Sequence, residues 1–158
     1  MKFVFLDIDG CLNDHTLMAN GYSGIHSDKV LLLNQLLEDN DIMLVISSAW
    51  RYLCLSNAMT VKGFEKMLMT HGVNCLDKVH GITAADEVFW PENPTWDDWE
   101  DLTVRVRQIQ QYLHEHNPKS FVVIDDLALP IVNLVRIDGK VGLQEHHIVA
   151  ARLLLNQV

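Results

Sequence analysis

Cysteine is scarce in this sequence, and the three residues present, Cys11, Cys54 and Cys75, are widely spaced without a CxxC pair. An odd number at this spacing argues against a disulfide framework and against a zinc site, so we expect reduced thiols in or near the core. A zinc site would have to recruit histidines, which we instead expect to face solvent near helix ends. These are His114, His116, His146 and His147.

Long apolar runs are missing too, since no stretch approaches the roughly 18 residues that a membrane-spanning helix needs. The N-terminal apolar run is short, and acidic residues break it where a signal peptide would carry its cleavage site. The sequence therefore predicts a cytoplasmic protein without a membrane partner, and it shows no need for an obligatory protein partner.

Basic residues are outnumbered, with 12 Lys and Arg against 21 Asp and Glu and a formal net charge of -9. Such a balance argues against a protein that coats nucleic acid through a broad basic surface. Much of the acid falls in residues 86–101, so the rest of the surface is closer to neutral and has room for a local basic groove.

The length and composition suit one globular domain over residues 1–158. Apolar, β-branched runs predict strands over residues 2–8, 42–48, 78–83, 120–126 and 134–137. Amphipathic patterns predict a helix capped by Ser27 and further helices over 57–71, 102–116 and 144–155. Residues 10–26 and the acidic, Trp-rich residues 86–100 lack such patterns, and we expect them to be irregular.

Strands that alternate with helices and consist of apolar runs are typical of a parallel sheet covered on both faces. We therefore predict a three-layer, Rossmann-like α/β fold. Neither irregular segment could hold a full cap domain, so we expect a minimal cap over a fairly open site.

Carboxylates follow two of the predicted strands. Asp7 and Asp9 come after the first strand, and Asp125 and Asp126 end a later one. Ligands of open α/β sheets bind beyond the carboxyl ends of the strands, where these side chains would meet if the two strands are neighbours. A hard divalent cation would relieve their repulsion, and Mg²⁺ is the usual one beside phosphate. The alternative is that each pair only forms a turn or a cap.

The arrangement resembles the haloacid dehalogenase (HAD) superfamily. Its first motif, DxDx(T/V)L, stands here as DIDGCL from Asp7, and its second, a Ser or Thr after an apolar strand, matches Ser47 in IMLVISSAWR. Its fourth, an acidic pair, matches Asp125 and Asp126 in FVVIDD. The third motif is normally a Lys, which is absent here.

Two arginines are candidates for the third motif, in the segment DLTVRVRQIQQYL. Arg105 has the better spacing, Arg107 is the alternative, and a guanidinium can do the same electrostatic work as a lysine. The competing interpretation is an exposed arginine on a helix face.

The resemblance implies a mechanism. Asp7 is the nucleophile that forms an aspartyl-phosphate, and Asp9 is the general acid and base whose backbone carbonyl binds Mg²⁺. Asp7 and Asp125 bind the ion through their carboxylates, with Asp126 as a direct, water-mediated or outer contributor. The phosphoryl oxygens are held by side chains and by backbone amides. These groups belong to Ser47, Arg105, Asp9 and Gly10.

The substrate is less clearly marked. The segments SSAWR, FEKMLMTHGV, GIT and VRIDGKVGLQ resemble the HAD domain of bacterial and phage RNA-repair proteins, which implies action on a nucleic-acid 3′-phosphate end or on a free nucleotide. Arg51 would then contact a substrate phosphate, pair with a carboxylate, or form a surface ion pair. The tryptophans at 90, 96 and 99 stack on a base or, as we favour, anchor their loop.

Three other functions compete with this interpretation. The acidic insertion would repel a polyanion, which favours a small phosphomonoester, and a sugar-phosphate phosphatase is the first alternative. A phosphoacceptor module of the receiver type also has an acidic metal pocket. However, it places its acidic pair after the first strand and a lone aspartate after a middle one. The third alternative is a catalytically inactive scaffold, against which both aspartates of the first motif argue.

Overall fold

The computed structural model describes residues 1–14, 24–83 and 102–157. Within them, five strands form one sheet: β1 (Lys2–Leu6), β2 (Ile42–Ile46), β3 (Val79–Ile82), β4 (Ser120–Asp125) and β5 (Leu134–Arg136). The helices are α1 (Ser27–Leu37), α2 (Tyr52–Leu55), α3 (Val61–Thr70), α4 (Leu102–His116) and α5 (Glu145–Leu155), with a 3₁₀ turn at Ala49–Arg51 before α2.

The sheet is parallel throughout, with strand order β3-β2-β1-β4-β5. Leu6 pairs with Ile46 on one side and with Ile124 on the other, so β1 and β2 end at the same level and β4 continues one residue further, to Asp125. The chain first builds the sheet from β1 toward β3 and then crosses to the other side of β1. The strand order therefore reverses between β1 and β4, where ligands of open α/β sheets bind.

Alternate residues of β1 face two separate layers because successive side chains of a strand point to opposite faces. Val4 and Leu6 pack with α1, α3 and α5, whereas Phe3 and Phe5 pack with α4. The buried residues of α4 at this face are Val106, Ile109 and Tyr112. Helices on both sides of a parallel sheet confirm the predicted three-layer α/β class.

Several element boundaries differ from the predicted ones. Strands β1 and β2 each end two residues early, since the chain leaves the sheet to form loops. The helix predicted from residue 57 begins at Val61, because Asn57 has a φ of 59°, which a right-handed helix cannot contain, and Thr60 is the N-cap. The N-cap position of the first helix is His26, one residue earlier than predicted, and its side chain makes no capping hydrogen bond.

Parts of the predictions fall on residues outside those described. These are most of the loop 10–26, the insertion 86–100 with its three tryptophans, and therefore the size of any cap. In the part of the chain that the structure describes, no helix has the length and apolarity to cross a membrane.

Candidate active site

The ends of β1 and β4 bring three aspartates together. The Asp7 amide donates to the Ile124 carbonyl at 2.9 Å, which extends the pairing of the two strands by one residue. Asp7 is 5% exposed and Asp125 is fully buried. Each of Asp7, Asp125 and Asp126 offers a carboxylate oxygen, and these oxygens all lie within 4.8 Å of one another. The two strands are thus neighbours, and residues far apart in sequence form one cluster.

Arg105 reaches this cluster from α4. Its Nη1 donates to Asp125 Oδ2 at 2.7 Å and lies 3.5 Å from Asp7 Oδ2. The side chain is only 9% exposed, whereas Arg107 is exposed. Of the two arginines considered for the third motif, Arg105 is therefore the one at the carboxylates.

The charges in the cluster perturb one another. Burial raises the pKa of Asp7 well above its usual value, Asp125 raises it further, and Arg105 acts in the opposite direction. Burial likewise raises the pKa of Asp125 against the lowering effect of Arg105. For Arg105, burial alone would lower the pKa, but the attraction of Asp7 and Asp125 outweighs it and the pKa is raised.

Asp9 has other partners than this cluster. Its Oδ1 accepts from Asn13 Nδ2 at 2.9 Å, and its Oδ2 accepts from Trp50 Nε1 at 3.0 Å. Gly10, with a φ of 79°, turns the chain after Asp9, and its amide donates to Asn13 Oδ1 at 2.7 Å. The Gly10 amide thus already has an acceptor within the protein, so this arrangement does not support the prediction that it binds phosphate.

Ser47 follows β2 directly, and its amide donates to the Leu6 carbonyl at 3.1 Å. The residue is fully buried, and its Oγ has no hydrogen-bond partner among the described residues. A buried hydroxyl without a partner is costly, and a bound ligand would satisfy it.

The chain matches the family model of the HAD domain in Swiss Army Knife RNA repair proteins over residues 3–148. The chain belongs to this family. Membership confirms the resemblance found in the motifs and supports a phosphohydrolase kind of function for the domain. Comparison with curated proteins and with solved structures gives no match.

The three aspartates of this HAD domain fit a divalent metal ion. They are hard oxygen donors, and the guanidinium of Arg105 contacts two of them. The raised pKa of Asp7 shows that this cation does not compensate fully for burial and like charge. Among the described residues, no other group of His, Cys, Asp and Glu could hold a metal in this way.

The position of Arg51 in the HAD domain differs most from our expectations. The residue is 5% exposed, so the surface ion-pair interpretation is wrong. Its Nη1 donates to the carbonyls of Ser47 and Ser48 at 3.0 and 2.9 Å, and its Nη2 donates to Gln108 Oε1 at 2.9 Å. Burial lowers the pKa of Arg51 to about 10. Arg51 thus ties the loop after β2 to α4, a role that sequence reasoning missed.

The expectations about cysteine are confirmed and those about histidine only in part. Cys11 and Cys75 are buried, Cys54 is half-buried, and all three thiols are free. His147 is buried instead of facing solvent, because its Nδ1 accepts from the Gln144 amide at 3.0 Å and caps α5.

Proposed function

We propose that this HAD domain is a Mg²⁺-dependent phosphomonoester hydrolase that acts through an aspartyl-phosphate on Asp7. The observation that carries the proposal is the buried group of Asp7, Asp125 and Asp126 with Arg105 at its edge. A buried carboxylate beside a cation and two further carboxylates that could hold a metal suits phosphoryl transfer, because the reaction depends on positioning and on charge stabilisation.

The nucleophile assignment comes from the resemblance to the first motif of the superfamily, and the local geometry of Asp7 is compatible with it. Its Oδ1 accepts from the Ile8 amide at 2.9 Å, which fixes the plane of the carboxylate. In the first step Asp7 Oδ2 bonds to phosphorus while the ester bond to the leaving oxygen breaks, and Asp9 gives that oxygen its proton. In the second step water attacks the same phosphorus and gives a proton to Asp9. Inorganic phosphate leaves, and the Asp7 carboxylate is restored.

The remaining residues would neutralise charge. Ser47 Oγ and Arg105 would hold phosphoryl oxygens, and a phosphoryl oxygen would give the buried hydroxyl the partner that the described residues do not provide. The side chains of Asp7, Asp125 and Asp126 and the backbone carbonyl of Asp9 would hold Mg²⁺. The ion would supply charge neutralisation at the phosphoryl oxygens.

The substrate that we propose is a nucleotide or a nucleic-acid 3′-phosphate end. The family description, which refers to RNA repair proteins, supports this class. The net charge of -9 favours a substrate with a small footprint over a long polyanion. A sugar phosphate is the alternative substrate, and the substrate test must distinguish it from a nucleotide or a 3′-phosphate end.

The enzymatic proposal is tested with the full chain and p-nitrophenyl phosphate. We expect steady turnover with Mg²⁺, loss of turnover on chelation by EDTA, and loss of activity in Asp7→Asn. Asp77→Asn is the matched control, since the same chemical change at a side chain that is 78% exposed should leave turnover unchanged. Near-native activity of Asp7→Asn would show that Asp7 is not the nucleophile. Phosphorylation of the wild type without turnover would indicate a phosphoacceptor module.

The substrate class is tested by a panel of mononucleotides, sugar phosphates and oligonucleotides that carry a phosphate at the 3′ or the 5′ end. Values of kcat/KM highest for nucleotides or 3′ ends would support the proposal. A clear preference for sugar phosphates would contradict it.

A further inference from the structure

Asp9 is held by two donors that come from different loops, and neither of them belongs to the superfamily motifs. Asn13 Nδ2 donates to Oδ1 at 2.9 Å, and Trp50 Nε1 donates to Oδ2 at 3.0 Å. Among the described residues each oxygen therefore has one partner, which leaves a lone pair for a proton. We call Asn13 and Trp50 the Asp9 clamp.

Asn13 is itself fixed by the loop after β1. It is fully buried, and its Oδ1 accepts from the Gly10 amide at 2.7 Å. Its Nδ2 also donates to the Gly24 carbonyl at 3.0 Å, so both ends of the amide are engaged. With these contacts made, the side chain has little freedom to move away from Asp9.

Trp50 is fixed by the loop after β2. Ser48 is the N-cap of the 3₁₀ turn, and its Oγ accepts from the Trp50 amide at 3.2 Å. The indole is partly buried and packs against the core layer formed by α1, α3 and α5. The two donors of the clamp therefore lie after different strands, Asn13 after β1 and Trp50 after β2.

Building on the proposed function, we propose that Asn13 and Trp50 are positioning residues that hold the Asp9 carboxyl for proton transfer to the leaving oxygen. An aspartate side chain has two rotatable bonds, and one donor on each oxygen fixes the plane of the carboxyl. Proton transfer needs the acid within about 2.6–3.2 Å of the leaving oxygen, so orientation controls its efficiency.

The test exploits the leaving group. An alkyl phosphate needs a proton on its leaving oxygen, whereas dinitrophenyl phosphate expels a stable phenolate without one. Trp50→Phe removes the N–H and keeps an aromatic ring. We expect it to lower kcat/KM about tenfold for the alkyl ester, but less than about twofold for the dinitrophenyl ester, because kcat/KM reports the first phosphoryl transfer. Asn13→Ala should show the same selectivity.

Two further measurements separate positioning from packing. In the Asp9→Asn background, Trp50→Phe should cause no additional loss, since both changes act through one proton transfer. Tyr112→Phe is the control for a lost hydroxyl hydrogen bond away from Asp9, that to His80 Nδ1 at 2.7 Å, and it should show no leaving-group selectivity. Thermal unfolding of each variant confirms that it is folded.

The outcomes distinguish this inference from the proposed function. Equal losses on both esters in Trp50→Phe, or a further loss in the Asp9→Asn background, would overturn the clamp while the phosphatase proposal stands. If Asp9→Asn itself shows no leaving-group selectivity, the assignment of Asp9 as the acid is wrong, and the inference falls with it. If Asn13→Ala does not fold, Trp50→Phe alone decides.

Discussion

Replacing Asp7 by Asn removes one of the buried carboxylates around Arg105 while keeping the shape of the side chain. The Asn oxygen can still accept from the Ile8 amide, as Asp7 Oδ1 does at 2.9 Å. Arg105 keeps its hydrogen bond to Asp125. In metal-free protein the substitution therefore relieves repulsion at little structural cost, and we expect the variant to be more stable than the wild type.

The magnitude follows from the geometry of the cluster. The carboxylate oxygens lie within 4.8 Å of one another, and at that upper limit Asp7 and Asp125 repel each other by about 3 kcal/mol at an effective dielectric constant of about 20. The attraction between Arg105 and Asp7 at 3.5 Å is about 5 kcal/mol on the same basis. Repulsion from Asp126 and the cost of burial, several kcal/mol per ion, oppose that attraction, so we expect a gain of about 1–3 kcal/mol in the variant.

The assay is thermal and urea unfolding in EDTA, where this gain should raise the Tm by about 3–10 °C. Because the pKa of Asp7 is raised in the folded state, that state binds more protons than the unfolded chain between the two pKa values. Wild-type stability therefore falls as pH rises through the folded pKa, and the advantage of the variant should shrink at low pH. Mg²⁺ should stabilise the wild type more than the variant. A variant clearly less stable than the wild type in EDTA would refute this account of the cluster.

Three further predictions address the residues around the site. Arg105→Met should abolish turnover and destabilise the protein by about 2–4 kcal/mol in urea unfolding, since it leaves buried carboxylates without their cation; full activity would exclude Arg105 from the site. Arg51→Met should cost about 1–3 kcal/mol, because its three acceptors lose their donor; an unchanged urea midpoint would contradict this role. Gly142→Ala should lower the Tm, because Gly142 has a φ of 78° and a Cβ there would lie 2.9 Å from the Asn13 carbonyl oxygen; an unchanged Tm would show that the loop adapts.

The predictable part of this fold lies in its apolar patterns. The bounds of α4 agree with the predicted residues 102–116, since its stripe of Val106, Ile109 and Tyr112 has a clear helical period. The convergence of Asp7 and Asp125 was also predictable, because carboxyl ends of neighbouring parallel strands meet at one edge. The ends of the strands were harder to predict. Ile8, for example, has the character of a strand residue but is buried in the loop after β1.

The unpredictable part lies in contacts between loops. The bond from Trp50 to Asp9 joins residues from two different loops, and no local pattern marks such a pair. Arg51 looks like a surface residue in sequence, but in the interior its Nη1 and Nη2 donate to backbone carbonyls and to Gln108. Of the residues that sequence reasoning missed, Asn13 was the easiest to predict, because an amide side chain shortly after an Asp-Gly turn often bonds to that turn.

The central place of β1 in the sheet has a consequence for folding. Residues 2–6 are flanked by β2 and by β4, whose residues 120–124 follow their partners in β1 by 118 residues. Such distant pairings slow folding, because a large loop must close before they form. During synthesis, one edge of β1 therefore stays unpaired until β4 has been made. Fragments that stop before β4 should aggregate readily, since they expose that edge and lack the strand that brings Asp125 to Asp7.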